Sequence, residues 1–147
     1  MEQVVAKIRK GSSNEIWVVL TDYTGELRLA IREYYYDASA QEFRPTKKGL
    51  IIPLECIPEL RDALDKLDGQ RESGTVAAFS WTDRGEVKVG VRCFQGHVYA
   101  EIRFFVPGKD PEADWRPTGK GVTFKPSALP QVLEAVGQAE DAAEGPS

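Results

Sequence analysis

The sequence predicts an α+β fold in which one small β-β-β-β-α unit occurs twice in tandem. Three observations support this prediction: an internal repeat, runs of alternating apolar and polar residues, and a stretch with helical apolar spacing at the end of each copy. Residues 15–32 align with residues 86–103, and residues 44–49 align with residues 116–121 after an insertion of one residue. The repeat therefore predicts two similar units in tandem, each with four strands followed by one helix.

Four strands are predicted in each copy from alternation and from the enrichment of valine and aromatic residues. Along the third strand of the first copy, Leu29 and Ile31 alternate with Arg28 and Arg32, which is the pattern of a half-buried strand. Arg103 takes the place of Arg32 in the second copy, and a polar loop is expected before each fourth strand. The predicted strands are residues 4–9, 15–22, 26–36 and 48–53, then residues 75–81, 86–94, 97–106 and 120–125.

A helix is predicted to close each copy, because apolar residues recur there at intervals of three or four. The apolar stripes consist of Ile57, Leu60, Leu64 and Leu67 in the first copy and of Leu129, Val132, Leu133 and Val136 in the second. One helix covers only one face of a four-stranded sheet, so the other face stays available for binding. The predicted units span residues 1–69 and 70–139, and residues 140–147 are expected to form a disordered acidic tail.

The composition is that of a soluble globular protein, with 41% hydrophobic and 29% charged residues in a chain of 147. No apolar run approaches the roughly 20 residues of a membrane helix. The first residues lack the pattern of a secretory signal, so we expect a cytoplasmic location, nucleoid-associated if the source is bacterial. The formal charge of −4 counts against nucleic-acid binding, although one face of a sheet can be basic within a Debye length of roughly 8–10 Å.

Side chains suited to catalysis do not form a recognisable pattern in this sequence. The one histidine, His97, has no metal-ligand spacing around it and no identifiable serine or cysteine partner. The chain also lacks both common patterns of glycine-rich phosphate loop. The sequence therefore predicts a protein that is not an enzyme and that needs no cofactor or metal.

The repeated motifs resemble the single-strand-binding domain of transcriptional positive cofactor four, a coactivator family. In the first copy these motifs are Ile-Arg-Glu-Tyr-Tyr at 31–35 and Arg-Pro-Thr-Lys-Lys-Gly-Leu at 44–50. In the second copy they are Ile-Arg-Phe-Phe at 102–105 and Arg-Pro-Thr-Gly-Lys-Gly-Val at 116–122. Members of that family dimerise through their helices and hold single-stranded DNA on the curved sheets of two units. The resemblance thus implies a fused dimer, an intramolecular pseudo-dimer with two curved antiparallel sheets and two helices, similar to Whirly and Pur-type arrangements.

The resemblance also implies which side chains contact nucleic acid. The basic residues that would contact phosphates are Arg32, Arg44, Lys47 and Lys48 in the first copy and Arg103, Arg116 and Lys120 in the second. The aromatic residues that would stack on bases are Tyr23, Tyr35 and Phe94, and the predicted site also includes Arg28 and Phe105. Val106 and Gly119 stand where the first copy has Tyr35 and Lys47, so the second copy is expected to bind more weakly.

These features predict a binder of single-stranded DNA with little sequence specificity, which acts as a transcription cofactor or protects exposed strands. The alternative is a protein-interaction scaffold of the same fold without nucleic-acid binding, which the acidic balance and the poorer second copy favour. For Arg32 and Arg103, a structural role in pairing with acids on the sheet is the competing interpretation. The sequence leaves open whether RNA also binds, whether the chains associate further, and whether a partner belongs to the transcription machinery.

Overall fold

The computed structural model describes residues 2–22 and 25–144. The first unit contains β1 (Glu2–Lys10), β2 (Asn14–Thr21), β3 (Arg28–Asp37), β4 (Glu42–Pro53) and α1 (Ile57–Asp65). The second unit contains β5 (Gly74–Thr82), β6 (Gly85–Phe94), β7 (His97–Val106), β8 (Arg116–Phe124) and α2 (Leu129–Glu144). The predicted architecture of two tandem β-β-β-β-α units is confirmed. None of the helices in the described part of the chain is long and apolar enough to cross a bilayer.

Each unit folds its four strands into an antiparallel sheet in sequence order, β1-β2-β3-β4 and β5-β6-β7-β8. Successive side chains of a strand point to opposite faces, so alternation decides which of them are buried. Leu29 and Ile31 of β3 are buried in the core, whereas Arg32 lies on the other face and is half-buried. Ala100 and Ile102 of β7 are buried in the same way. We call the face that carries Arg32, and its counterpart in the second unit, the outer face.

A 3-10 turn leads from the last strand of each unit into its helix, over Leu54–Cys56 and over Pro126–Ala128. Pro58 and Pro130 lie in the first turn of α1 and α2, where a missing N–H removes no helical hydrogen bond. The predicted apolar stripes face the core, and Leu60 of α1 is completely buried. Burial of such a leucine stabilises the fold by about 2 kcal/mol.

The helices are exchanged between the units. Although α1 follows the first sheet in the chain, it packs against β5 and β6 of the second sheet, and α2 packs against β1 and β2 of the first. The helices also contact each other, and the guanidinium of Arg61 on α1 pairs with the carboxylate of Glu140 on α2. Buried residues of both units therefore form one continuous hydrophobic core.

A polar contact joins the first hairpin to the second sheet. The Lys10 ammonium donates to a carboxylate oxygen of Glu33 at 2.5 Å and to the hydroxyl of Thr123 at 3.2 Å. The amide of Asn14 donates to the other carboxylate oxygen of Glu33 at 2.8 Å. Burial by itself would raise the pKa of Glu33, but the hydrogen bonds from Lys10 and Asn14 and the charges of Lys10 and Lys48 hold that pKa below its ordinary value. We call Lys10, Asn14 and Glu33 the ionic trio.

The second unit has an apolar set of residues where the first has the ionic trio. Trp81, Gly85 and Phe104 align with its three members. The rings of Trp81 and Phe104 lie 5.9 Å apart between centroids. A Cβ atom at Gly85 would lie 2.6 Å from Cζ of Phe104, so only glycine leaves room for that ring. The three positions therefore differ as a set between the two copies, with polar and charged residues in the first and a glycine with two aromatic residues in the second.

The end of α2 differs from the sequence expectation. The helix continues to Glu144, so residues 140–144, which were expected to lie in a disordered tail, are helical. The physical reason is that Ala139 is completely buried and Glu140 pairs with Arg61 of α1, so both hold this part of the helix on the core. The last three residues, 145–147, lie outside the described part of the chain.

Candidate nucleic-acid interface

The outer face of the first sheet combines aromatic and basic side chains. Residues paired across antiparallel strands share a face, and Lys7, Trp17 and Arg32 are paired in this way across β1, β2 and β3. Tyr34, two residues further along β3 than Arg32, lies on the same face. Val19, also on this face, is buried, so the outer face is most exposed in its half near the β3–β4 hairpin.

Four aromatic side chains, Trp17, Tyr34, Tyr36 and Phe43, form what we call the aromatic cluster in this exposed half. The rings of Trp17 and Tyr34 stack, with centroids 3.9 Å apart and an interplanar angle of 13°. Phe43 lies 6.3 Å from Trp17 and 5.3 Å from Tyr36. The Lys7 ammonium lies 4.2 Å from the Trp17 ring centroid, which is within the range of a cation–π interaction. Because Tyr36 is 44% exposed, the cluster has a free surface for stacking.

The second sheet carries a smaller version of this cluster. Phe105 and Trp115 align with two members of the aromatic cluster, and Lys88 stands in place of Trp17. The Lys88 ammonium lies 4.7 Å from the Phe105 centroid and 6.0 Å from the Trp115 centroid. A cation–π contact thus replaces the stacked pair, and the second outer face presents a charge where the first presents a ring.

The repeated Arg-Pro-Thr-x-Lys-Gly motif forms a bulge inside the last strand of each unit, whereas the sequence predicted a loop before that strand. In the first unit the pairing register shifts between Arg32 and Tyr34. The Thr46 hydroxyl donates to the carbonyl of Glu33 at 2.8 Å and accepts from the N–H of Lys48 at 3.0 Å. The Arg32 guanidinium donates to the Thr46 carbonyl at 2.9 Å. These side-chain hydrogen bonds satisfy backbone groups that the bulge removes from the ladder.

The second unit repeats the same hydrogen bonds. The Thr118 hydroxyl donates to the carbonyl of Phe104 at 2.8 Å and accepts from the N–H of Lys120 at 3.1 Å. The Arg103 guanidinium donates to the Thr118 carbonyl at 2.8 Å. A Cβ atom at Gly121 would lie 2.6 Å from a carbonyl oxygen of the neighbouring strand, which explains why glycine closes the motif. Part of the repeated sequence therefore specifies backbone structure rather than ligand binding.

Two arginines of the predicted phosphate-contacting set also form ion pairs within the chain. Arg103 Nε lies 3.0 Å from the carboxylate of Glu101, and the Arg103 side chain is only 13% exposed. Arg44 pairs with Asp37 at 2.8 Å and with Glu42 at 3.2 Å. The positive charge of both side chains is thus partly neutralised before any ligand binds.

Three other basic residues of the predicted set are exposed to solvent. Lys47, Arg116 and Lys120 are exposed, and within residues 2–22 and 25–144 none of the three forms an ion pair. Their charges are the ones most readily available to a polyanion, because a contact with phosphate would not require an existing ion pair to break.

A pocket of about 370 Å³ lies between the two units and is lined by three cations. Lys48 comes from the first unit, and Arg92 and Arg103 come from the second. Glu33 also lines the pocket, and Arg92 lies 3.5 Å from Glu101. The fold thus brings together Lys48 and Arg103, which the sequence placed in different copies, and adds Arg92 to them. No group of three or more metal-ligating side chains occurs in the described part of the chain.

The remaining predicted site residues lie at separate places. Tyr35 is exposed, but it occupies the side of β3 opposite to the aromatic cluster because the cluster uses its two neighbours in the strand. Phe94 is exposed at the β6–β7 turn. Arg28 pairs with Glu26 at 3.4 Å, and its buried Nε has no hydrogen-bond partner among the described residues. Tyr23 lies outside the described residues.

The predicted set did not include Trp17, Lys88 or Arg92. A signal for Trp17 is present in the sequence, because it stands between Ile16 and Val18, which are both buried in the core. In a strand this order places the tryptophan on the outer face. The same alternation places Lys88 and Arg92 on the outer face of β6.

Comparison with known proteins gives a family match over both units. The model of the family described as Transcriptional Coactivator p15 (PC4) matches residues 10–63 and 81–135. Among solved structures, the chain is similar to a PC4 homologue from Burkholderia pseudomallei K96243 in an orthorhombic crystal form, with 24% sequence identity and a TM-score of 0.42. This match covers 48% of the present chain and 93% of the other. The comparison with curated proteins gave no match.

Proposed function

Because this chain belongs to the family of Transcriptional Coactivator p15 (PC4), we propose that it binds single-stranded DNA across the outer faces of its two sheets. The observation that carries this proposal is the aromatic cluster, in which Trp17 and Tyr34 stack beside Lys7 on a face turned away from the helices. An exposed ring stacks on bases of any sequence, at about 1–3 kcal/mol per base. The binding is therefore expected to show little sequence preference.

Basic side chains on both units supply the contacts to phosphate. The exposed Lys47, Arg116 and Lys120 and the pocket lysine Lys48 could each neutralise one phosphate. For single strands the slope of log K against log salt is about −0.7 per neutralised phosphate, so these four residues predict a slope of about −3. Contacts of this kind do not read base edges.

The proposed role is that of a transcription cofactor or a protector of exposed strands, without catalysis. RNA offers the same phosphates and stackable bases, so we expect RNA to compete with DNA for these surfaces. The proposed location is the cytoplasm, with the nucleoid as the site of action in a bacterial cell. Further self-association and contacts with the transcription machinery would add to this role without changing the surface that holds the strand.

A second function, that of a protein-interaction scaffold, is favoured by the ion pairs on the sheets. Arg44 and Arg103 are already paired with acids of this chain, and the formal charge is −4. A scaffold would use the aromatic cluster to contact an apolar protein surface. Its association would respond weakly to salt, whereas nucleic-acid binding would weaken steeply as salt increases.

The test is fluorescence anisotropy with a labelled single strand of about 20 nucleotides of mixed sequence, compared with its duplex across a salt series. We expect Tyr36→Ala, which removes the most exposed ring of the aromatic cluster, to weaken single-strand binding by about ten- to hundredfold, which corresponds to the loss of one stacked base. Tyr35→Ala is the matched control, because Tyr35 is an exposed ring on the opposite side of the same sheet. Thermal melts of both variants establish that they are folded.

Each result of this experiment has a defined meaning. Loss of affinity with Tyr36→Ala but not with Tyr35→Ala would support the outer face as the binding surface. An equal loss of affinity with both variants would indicate that the strand binds to a different surface of the protein. Absence of single-strand binding at low salt would contradict the proposal and leave the protein-interaction scaffold.

A further inference from the structure

A second cleft lies between the β1–β2 hairpin of the first unit and the β8–α2 connection of the second. Its volume is about 600 Å³, which is within the usual range for small-molecule sites. Arg9 and Lys10 line it from the hairpin, and Lys125, Ser127 and Tyr99 line it from the other unit. The cleft is thus assembled only when the two units are joined.

The charge of this cleft is entirely positive. None of the described residues that line it is acidic, whereas Arg9, Lys10 and Lys125 are basic. Lys10 is already paired with Glu33. Arg9 and Lys125 are exposed and form no ion pair with the described residues. Two cations on facing walls are therefore available to one anion.

The internal repeat shows that this charge is not a general property of the fold. The pseudo-equivalent place in the molecule is formed by the β5–β6 hairpin and the β4–α1 connection. Uncharged residues replace all three cations there, namely Ser80, Trp81 and Pro53. Three acids and two cations stand at other equivalent positions, so acids outnumber cations: Asp83, Glu55 and Glu59, then Arg28 and Arg84. Only one of the two places has the charge to attract an anion, so one site per chain is expected.

We propose that this cleft binds one nucleotide through its phosphate group, either as a free mononucleotide or as the phosphorylated end of a strand. Arg9 and Lys125 neutralise the phosphate from opposite walls, and the Ser127 hydroxyl and Gln131 amide provide hydrogen-bonding groups. The half-buried ring of Tyr99 provides an apolar surface for the base.

The strand-end form of this ligand follows from the position of the cleft. Arg9 lies on the same face of β1 as Lys7, two positions further along the strand, and Lys7 contacts the aromatic cluster. A strand that crosses the cluster would pass close to the mouth of the cleft. This form of the ligand rests on the proposed single-strand binding, whereas the free mononucleotide does not.

The first experiment measures binding of adenosine 5′-monophosphate by titration calorimetry, with adenosine and inorganic phosphate as the two partial ligands. We expect one site per chain and binding at least about tenfold weaker for adenosine, because two charge-assisted contacts are lost. The double variant Arg9→Gln/Lys125→Gln should lose at least about tenfold in affinity for the monophosphate. Arg84→Gln/Lys109→Gln removes the same charge from exposed residues outside the cleft and should have no effect.

The second experiment compares short single strands with a 5′-phosphate and a 5′-hydroxyl. The strand end is identified as the ligand if the phosphorylated strand binds more tightly and if Arg9→Gln/Lys125→Gln abolishes that preference. The free nucleotide is identified as the ligand if the monophosphate binds but the two strands bind equally well. The proposal is overturned if the monophosphate does not bind, if adenosine binds equally well, or if both double variants lose affinity equally. Tyr36→Ala tests the aromatic cluster separately. Failure of the cleft would therefore leave the proposed function standing, and failure of the aromatic cluster would leave mononucleotide binding in the cleft standing.

Discussion

Replacing Glu33 with glutamine tests whether the ionic trio holds the first hairpin on the second sheet. The Glu33 side chain is 5% exposed, and its two oxygens accept hydrogen bonds from Lys10 and Asn14. Glu33→Gln keeps the shape but removes the charge, so the Lys10 ammonium loses its ion pair. Breaking a fully buried pair costs about 3–5 kcal/mol. Lys10 is 27% exposed and can be rehydrated, so we expect a loss of about 2–3 kcal/mol at pH 7.

The assay is differential scanning calorimetry over a pH series. In a protein of this size, 1 kcal/mol changes Tm by about 2–4 °C, so Glu33→Gln should lower Tm by about 4–12 °C at pH 7. The pKa of Glu33 in the folded chain lies below its ordinary value of 4.5. Its contribution to stability is therefore complete above that value and is lost as the pH falls through the folded pKa. The difference in Tm between wild type and Glu33→Gln should therefore shrink as the pH falls through the folded pKa of Glu33.

The matched control is Glu86→Gln. Glu86 lies on β6 and pairs with Lys88 at 3.9 Å, and both side chains are partly exposed. Exposed pairs contribute about 0–1 kcal/mol, so this variant should melt within about 4 °C of the wild type. The reasoning would be refuted if Glu33→Gln were as stable as the control at pH 7, or if its deficit stayed constant through the acid range.

Two further predictions concern the motif and the pocket between the units. Gly49→Ala should destabilise the protein by about 1–3 kcal/mol in urea denaturation, because a Cβ atom there would lie 2.8 Å from Cβ of Arg32 and from the Ile31 carbonyl oxygen. In the control Gly119→Ala the new Cβ atom meets open space, so stability should change by no more than about 0.5 kcal/mol. Equal effects of the two variants would contradict the packing argument. Lys48→Gln should reduce the salt slope of single-strand binding by about 0.7, because one phosphate contact is lost. The control Arg84→Gln should leave the slope unchanged. An unchanged slope in Lys48→Gln would exclude the pocket from the phosphate path.

Much of the fold could be predicted from local patterns. Alternation along β3 and β7 identified the buried residues, and the prediction for β7, residues 97–106, agrees with the structure at both ends. The start of β4 could not be predicted in this way. Its bulge breaks the alternation over residues 44–49, and a polar, proline-containing stretch then resembles a loop although it pairs with β3.

The candidate site was only partly accessible to sequence reasoning. The motif pointed to Lys47, Lys48 and Lys120, which the structure places at the surface. The same motif pointed to Arg32 and Arg103, whose guanidinium groups form hydrogen bonds that close the bulge. Sequence repetition cannot separate these two roles, because a residue needed for backbone structure and one needed for a ligand recur equally in a duplicated unit.

The sequence alone determined the number of units, the order of their elements and the residues that each element buries, because these follow from local periodicity and from comparison of the two copies. Only the tertiary structure decided what each buried face packs against. The apolar stripe of α1 fits either sheet, since apolar burial has no directional requirement, and the fold places α1 on β5 and β6 and α2 on β1 and β2. This exchange brings residues of different units together at the 370 Å³ pocket and at the nucleotide cleft. Such contacts depend on distances in space, which one-dimensional patterns do not contain.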